Sequence, residues 1–246
     1  MKISFLGTNG WYDTNIGSTI CVLVETRSAY FIFDAGSGLH KVDRYIKGNK
    51  PIYLFLSHYH LDHVIGLHIM NKFDFAQGVD VFGPPGLKVF FKRVINEPYT
   101  IPISNLKTKL RLHEIAPDTV LPFGIVCKPL HHSSLCYGYR LSLEGKMVAY
   151  CTDTGFCENL LFLANDVDLL IAECSFKKGQ ENKKWPHLNP EAAAKVAKKC
   201  KVKKLALVHF DASIYKNIKD RKAAEKTSKI IFTNSFAATD NMEIEI

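Results

Sequence analysis

The sequence predicts an α/β (α+β) fold in which two β-sheets pack face to face beneath outer helices, four layers in the order α, β, β, α. Strand-length apolar runs recur in both halves of the chain, and helix-like stretches flank them. No internal repeat, linker or shift in composition divides residues 1–246, so one domain is expected. With 47% hydrophobic and 23% charged residues the chain can bury a sizeable core and is not expected to be disordered.

Each element has its own signal. KISFL reads as a strand running into a glycine turn, and STICVLVE and AYFIF as two more strands. After Asp34, AGSG opens a short helix-like stretch to about Lys47. PIYLFLS is a buried strand, and His63 to Lys72 looks like the start of a helix. VDVFG is a strand closed by Gly83-Pro84-Pro85-Gly86, with an amphipathic helix to about Asn96. LRLHEI, IVCKPL, YGYRLSL and MVAYC make the middle strand-rich, and Glu144-Gly145-Lys146 is a hairpin turn between the last two. DLLIAEC then leads to the helix PEAAAKVAKKC, whose Pro190 suits a first helical turn. KLALVHF precedes a Lys/Ala-rich helix, and the chain closes on MEIEI. Loops 8–18 and 97–108 are expected to shape a pocket.

The net charge is +8, with ten lysines between Lys177 and Lys204 against Glu181 and Glu191 alone. Such a stretch permits an anionic substrate or RNA, but a solvated helix face has the same composition. No apolar run approaches the roughly 20 residues of a membrane span. The N-terminus carries neither the apolar length nor the cleavage site of a signal peptide, so a cytoplasmic protein with no membrane partner is expected. The seven cysteines fit that setting, being odd in number, scattered and never in a C-x-x-C pair.

Residues 57–63, SHYHLDH, place His58, His60, Asp62 and His63 straight after the apolar run IYLFL. Buried imidazoles and carboxylates cost free energy unless something pairs with them, and a divalent cation is such a partner. Alternation along a strand points His58 and His60 the same way, with Asp62 and His63 following at a turn into a helix, near enough to serve a second ion. The donor types suit zinc, and also manganese or iron.

This H-x-H-x-D-H pattern between a strand and a helix resembles the signature of the metallo-β-lactamase superfamily, whose αββα sandwich matches the layers inferred above. The resemblance spans essentially the whole chain, since FLGTNG and DAGSG also fit. Later ligands have candidates in the expected order: His132 in HHSSLCYGYRL, Asp153 in YCTDTG and His209 in LALVHF. The resemblance implies His58, His60 and His132 on one ion, Asp62, His63 and His209 on the other, and Asp153 between them. His131 adjoins a ligand but is expected to point to the opposite face of its strand. His68, His113 and His40 lack a motif partner, and Asp34 is read as orienting a ligand or turn.

Within the family, HSSLCYGYRL, TDTG, ECSF with Glu173 and HLNPEAAAKVA with His187 are similar to the ribonuclease Z-like phosphodiesterases. FGPPG is shared with the cyclic phosphodiesterase of phosphonate breakdown. The likeness implies a hydroxide bridging two ions as nucleophile, with Asp62 accepting its proton. It further implies His187 protonating the leaving oxygen and Glu173 orienting His187. Two departures matter. His132 and Asp153 are 21 residues apart, too few for the long arm with which ribonuclease Z grips transfer RNA, and the cysteine-rich zinc segment of the phosphonate-pathway enzyme is missing. The expected activity is hydrolysis of small or cyclic phosphodiesters. RNA 3′-end processing and lactone or carboxylic ester hydrolysis are the rival chemistries, and a non-catalytic metal-binding module is a third reading. RNA and a second copy of the chain, as a homodimer, stay open as partners.

Overall fold

The computed structural model describes residues 1–116, 119 and 121–246. In chain order the strands are β1 (Lys2–Gly7), β2 (Asn9–Gly10), β3 (Cys21–Glu25), β4 (Tyr30–Phe33), β5 (Ile52–Phe55), β6 (Val79–Gly83), β7 (Leu110–Glu114) and β8 (Val126–Pro129). They continue as β9 (Tyr137–Leu143), β10 (Lys146–Cys151), β11 (Leu169–Glu173), β12 (Lys204–Val208), β13 (Phe210–Asp211), β14 (Ser235–Ala237) and β15 (Met242–Glu245). The α-helices are α1 (Leu61–Val64), α2 (Leu87–Arg93), α3 (Glu158–Ala164), α4 (Pro190–Lys199) and α5 (Ile218–Ile231).

One sheet runs β15-β1-β3-β4-β5-β6-β7 and the other β14-β12-β11-β10-β9-β8. Both faces of each sheet are buried, and the period-2 alternation of a strand decides which residue faces where. In β4, Phe31 and Phe33 enter the core between the sheets, where they meet Tyr139, Tyr150, Ile171 and Val208 of the second sheet. Their neighbours Tyr30 and Ile32 face outward, against Leu39, Val42, Leu67 and Phe91 of the helical segments. On β12, Ala206 and Val208 face inward, while Leu205 and Leu207 pack outward with Ala193, Ala197 and Ala224 of α4 and α5. Each fully buried large apolar side chain contributes about 1.5–3 kcal/mol. A one-residue slip would exchange the two faces of a strand, so the pattern also fixes register.

The layers match the expected αββα order, and several details differ. His63 to Lys72 gives only the four-residue α1, followed by a 3₁₀ segment, Ile65–Lys72. AGSG likewise leads into a 3₁₀ segment, Ser37–Arg44. The two lie against each other, and a Cβ on Gly66 would fall on the Gly36 carbonyl. Helix α3, strand β14 and the two-stranded sheet β13-β2 are additions to the sequence reading. All seven cysteines are free and five are buried. No helix among the described residues is long and apolar enough to cross a membrane.

The topology sets up the site. Strands β4, β5 and β6 run parallel, as do β10, β11 and β12. Chain segments leaving their C-terminal ends therefore emerge at one edge. Asp34 follows β4, His58–His63 follow β5, Asp153 follows β10, Glu173 ends β11 and His209 follows β12. His132 precedes β9, which runs antiparallel to β10, and so reaches the same edge.

Candidate metal centre

Strand β5 ends at Phe55, so His58 and His60 project from the loop beyond it rather than from the strand. They still converge: the two rings lie 4.4 Å apart, and each is 5.0 Å from His132. His58 Nε2 and His132 Nε2 lie 3.6 and 3.7 Å from Asp153 Oδ2. Asp153 Oδ1 faces the other way, 3.0 Å from His209 Nε2 and 3.3 Å from His63 Nε2. Asp62 Oδ2 completes that second group at 3.2 Å from His209 and 3.6 Å from His63. Two clusters thus share one carboxylate: His58, His60, His132 with Asp153, and Asp62, His63, His209 beside it.

Neighbours set which ring nitrogen points inward. Ser57 Oγ donates its hydrogen to Asp34 Oδ2 at 2.8 Å, so it accepts from His58 Nδ1 at 2.9 Å. Ser175 Oγ donates to the His209 carbonyl and accepts from His209 Nδ1, both at 3.0 Å. His63 Nδ1 donates to Asp34 Oδ2 at 2.8 Å. In all three rings the Nε2 edge is left facing the centre, the outer hydrogen bonding common around metal-binding histidines. Asp34 also accepts from the Ser57 amide at 2.7 Å and the Tyr150 hydroxyl at 2.7 Å, which gives this buried carboxylate four donors. Asp34, Asp153 and His209 hold φ of 56°, 52° and 51°, left-handed values that cost a non-glycine residue energy and recur at functional sites. Gly10 lets the strand pair β2–β13 approach His209, since a Cβ there would lie 2.5 Å from the ring's Cε1.

The electrostatics suit cations. Burial keeps His58 well below the ordinary histidine range and brings His132 down to about 4, so both imidazoles are neutral. Burial opposes charge on His63 and His209 too, but the Asp153 carboxylate, with Asp34 or Asp62, outweighs it. His63 is raised well above its usual value and His209 to about 10. The field at the second cluster therefore favours positive charge strongly enough to overcome desolvation. His58 Nε2 and Asp153 Oδ1 are buried and lack an aligned hydrogen-bond partner, although cationic nitrogens stand within ion-pair distance of the latter. Orphaned buried donor atoms of this kind are what a coordinated ion would satisfy. The residues present fit a pair of divalent cations.

Beside the clusters, His187 Nδ1 lies 2.8 and 2.9 Å from the two oxygens of Glu173, which also accepts from the Thr154 amide next to Asp153. Burial lowers the His187 pKa, but Glu173 more than offsets this and raises it overall. His187 is three residues ahead of α4, whose N-cap is Asn189, so it is not the helix cap. His187 and both cation clusters open on a cleft of about 620 Å³. Of the remaining histidines, His113 pairs with Asp80, while His40 and His68 bond backbone carbonyls in their own turns. Sequence reasoning missed Ser57 and Ser175, whose types carry no signal, and Trp11 and Trp185, which also line the cleft.

Residues 30–210 match the family profile described as a β-lactamase superfamily domain. The chain belongs to that superfamily in its metallo-β-lactamase form, a class of metal-dependent hydrolases. Among curated relatives, Ribonuclease Z of Microcystis aeruginosa (strain NIES-843 / IAM M-2473) is 27% identical across all of this chain and 96% of its own length. Ribonuclease Z of Bacillus velezensis (strain DSM 23117 / BGSC 10A6 / LMG 26770 / FZB42) is 26% identical across all of this chain and 99% of its own. The Microcystis alignment runs over 311 positions against 246 residues here, so that relative carries stretches this chain lacks. Among solved structures, the metallo-β-lactamase fold protein YhfI of Bacillus subtilis gives a TM-score of 0.84 at 22% identity, covering 100% of this chain and 98% of that one. Human tRNase Z, short form, gives 0.76 at 22%, covering 100% and 99%. A diphosphatase of the PhnP family gives 0.74 at 16%, covering 100% and 97%. These structural likenesses speak for the fold.

Proposed function

We propose that the protein is a phosphodiesterase acting on small or cyclic phosphodiesters at a two-cation centre. The observation that carries this reading is the His187–Glu173 pair, an acid held against its carboxylate on the wall of the cleft that His60, Asp62, Asp153 and His209 also line. Hydrolysis of a phosphodiester needs a proton for a poor alkoxide leaving group, and His187 has the partner and the raised pKa to supply one.

His58, His60 and His132 would hold one cation and Asp62, His63 and His209 the other, with Asp153 between. Zinc suits this donor set best, with manganese or iron as alternatives. Such a pair, when bound, activates water and neutralises phosphoryl oxygens. Asp62 Oδ2, fixed by the Trp11 amide at 2.8 Å, takes the proton of the attacking water. As the new P–O bond forms, the ester P–O bond breaks, and His187 gives its proton to the departing oxygen. Glu173 keeps Nδ1 occupied and steadies the charge on the ring.

A second reading, RNA 3′-end processing, is favoured by the full-length likeness to proteins named Ribonuclease Z. Against it, the interval from His132 to Asp153 is filled by the β9–β10 hairpin, with Lys146 opposite Leu143. No lysine or arginine is among the described residues lining the cleft, whereas RNA grip relies on phosphate contacts from such side chains. The reading is tested by steady-state rates with zinc and with manganese on bis-p-nitrophenyl phosphate, 2′,3′- and 3′,5′-cyclic nucleotides, cyclic sugar phosphates, a lactone and precursor tRNA. Turnover of the small phosphodiesters is expected. Accurate 3′-cutting of precursor tRNA at low enzyme, or lactone hydrolysis without phosphodiester turnover, would overturn it.

A further inference from the structure

The chain has two tryptophans, and both line this cleft. Neither behaves as a core residue: Trp11 is 66% exposed and Trp185 48%. Trp11 sits at φ 74°, a left-handed conformation costly for so bulky a side chain. Several bonds hold it there. Its amide donates to Asp62 Oδ2 at 2.8 Å, and Asn9 Nδ2 bonds the Tyr12 and Gly17 carbonyls, each at 2.9 Å. Tyr12 packs edge-on against the indole, with ring centroids 5.3 Å apart. Trp185 lies parallel to the His60 ring, 3° apart in plane at a centroid distance of 6.1 Å, with the His132 and His187 ring centroids 5.8 and 6.0 Å away. An exposed aromatic surface is therefore fixed on each of two chain segments beside the place where a phosphodiester would be hydrolysed.

The geometry points to a nucleobase subsite: Trp11 and Trp185 stack the base of a nucleotide whose phosphodiester sits at the cation clusters. This rests on the phosphodiesterase reading and narrows its substrate class to nucleotide diesters. Aromatic faces accept any base, because every base offers a π-face. The cleft volume of about 620 Å³ falls within the range of small-ligand pockets and admits a mononucleotide. With no lysine or arginine among the described residues lining the cleft, further phosphate groups would find no fixed cationic side chain there, which favours a ligand with one phosphate and a neutral planar group.

The test compares binding of 5′-AMP and ribose 5-phosphate to the zinc-loaded protein, neither being a diester that the enzyme could consume. Tryptophan fluorescence reports the first and calorimetry both. AMP is expected to quench the emission and to bind about ten-fold or more tightly than ribose 5-phosphate, the order of one base–aromatic stack. In Trp11→Leu and Trp185→Leu that ratio should fall toward one. Because it is a ratio, a partial loss of folded or metal-loaded protein cancels. Trp11, whose ring pairs with Tyr12 rather than with the histidines that Trp185 meets, is the cleaner of the two. Equal affinity for the two ligands in the parent protein, or an unchanged ratio in both variants, would overturn the subsite. So would phosphocholine binding as tightly as AMP, since the indoles would then serve a quaternary ammonium group. Failure of the phosphodiesterase reading shows separately, as no turnover of bis-p-nitrophenyl phosphate whatever the ratio.

Discussion

Asp153 turns one oxygen to each set of histidines, and its carboxyl is held well below the usual range by His209 and His63 despite complete burial. Asp153→Ala is expected to fold with its metal content reduced to one equivalent or less by elemental analysis, and two retained equivalents would contradict its position between the ions. His187→Ala should keep both ions but lose about 10²-fold or more in rate on diesters with alkoxide leaving groups, and much less on p-nitrophenyl esters. An equal loss on both substrate types would remove its role as acid. Asp34 acts through others, accepting from His63, Ser57 and Tyr150. Asp34→Asn should cost about 3 kcal/mol in urea unfolding, the order of a broken buried charge pair. It should also weaken zinc binding by about 10–100-fold in chelator competition.

At the scale of elements, the site is a property of strand ends. The parallel runs β4–β5–β6 and β10–β11–β12 deliver their following segments to one edge, as ligand sites on α/β sheets commonly are. The small β13–β2 sheet then pins the residue after His209 to Asn9. Gly10→Ala should push the His209 ring aside and lower the metal content toward one equivalent, leaving the helical circular dichroism unchanged. Two full equivalents would show that the neighbouring strands absorb the methyl group.

Much of this was legible beforehand, for a physical reason. The long strands are doubly buried and so appear as apolar runs, while the candidate ligands are polar residues interrupting or ending such runs. Elements whose existence depends on a partner elsewhere left little trace. Two-residue β2 and β13 and three-residue β14 carry no periodicity, and α3 is too short at seven residues for its apolar stripe to stand out. His58 and His60 do point into one cluster as the sequence suggests, but not through strand alternation. Strand β5 stops three positions before the first of them, and Ser57, held by Asp34, sets the His58 ring.

Across the whole molecule, charge and chemistry separate. The chain is basic at +8, yet the cleft is lined by histidines, carboxylates and indoles, so the lysines are not what a bound substrate meets first. Trp11 and Trp185 lie far apart in sequence and belong to no recognisable motif, and only the fold puts both on one cleft. The central claim is the pair of cations beneath them, and anomalous diffraction at the zinc edge from zinc-loaded crystals examines it directly. Two peaks about 3.5–4 Å apart are expected, with Asp153 between them. A single peak, with the His209 ring turned away from it, would contradict the two-cation centre.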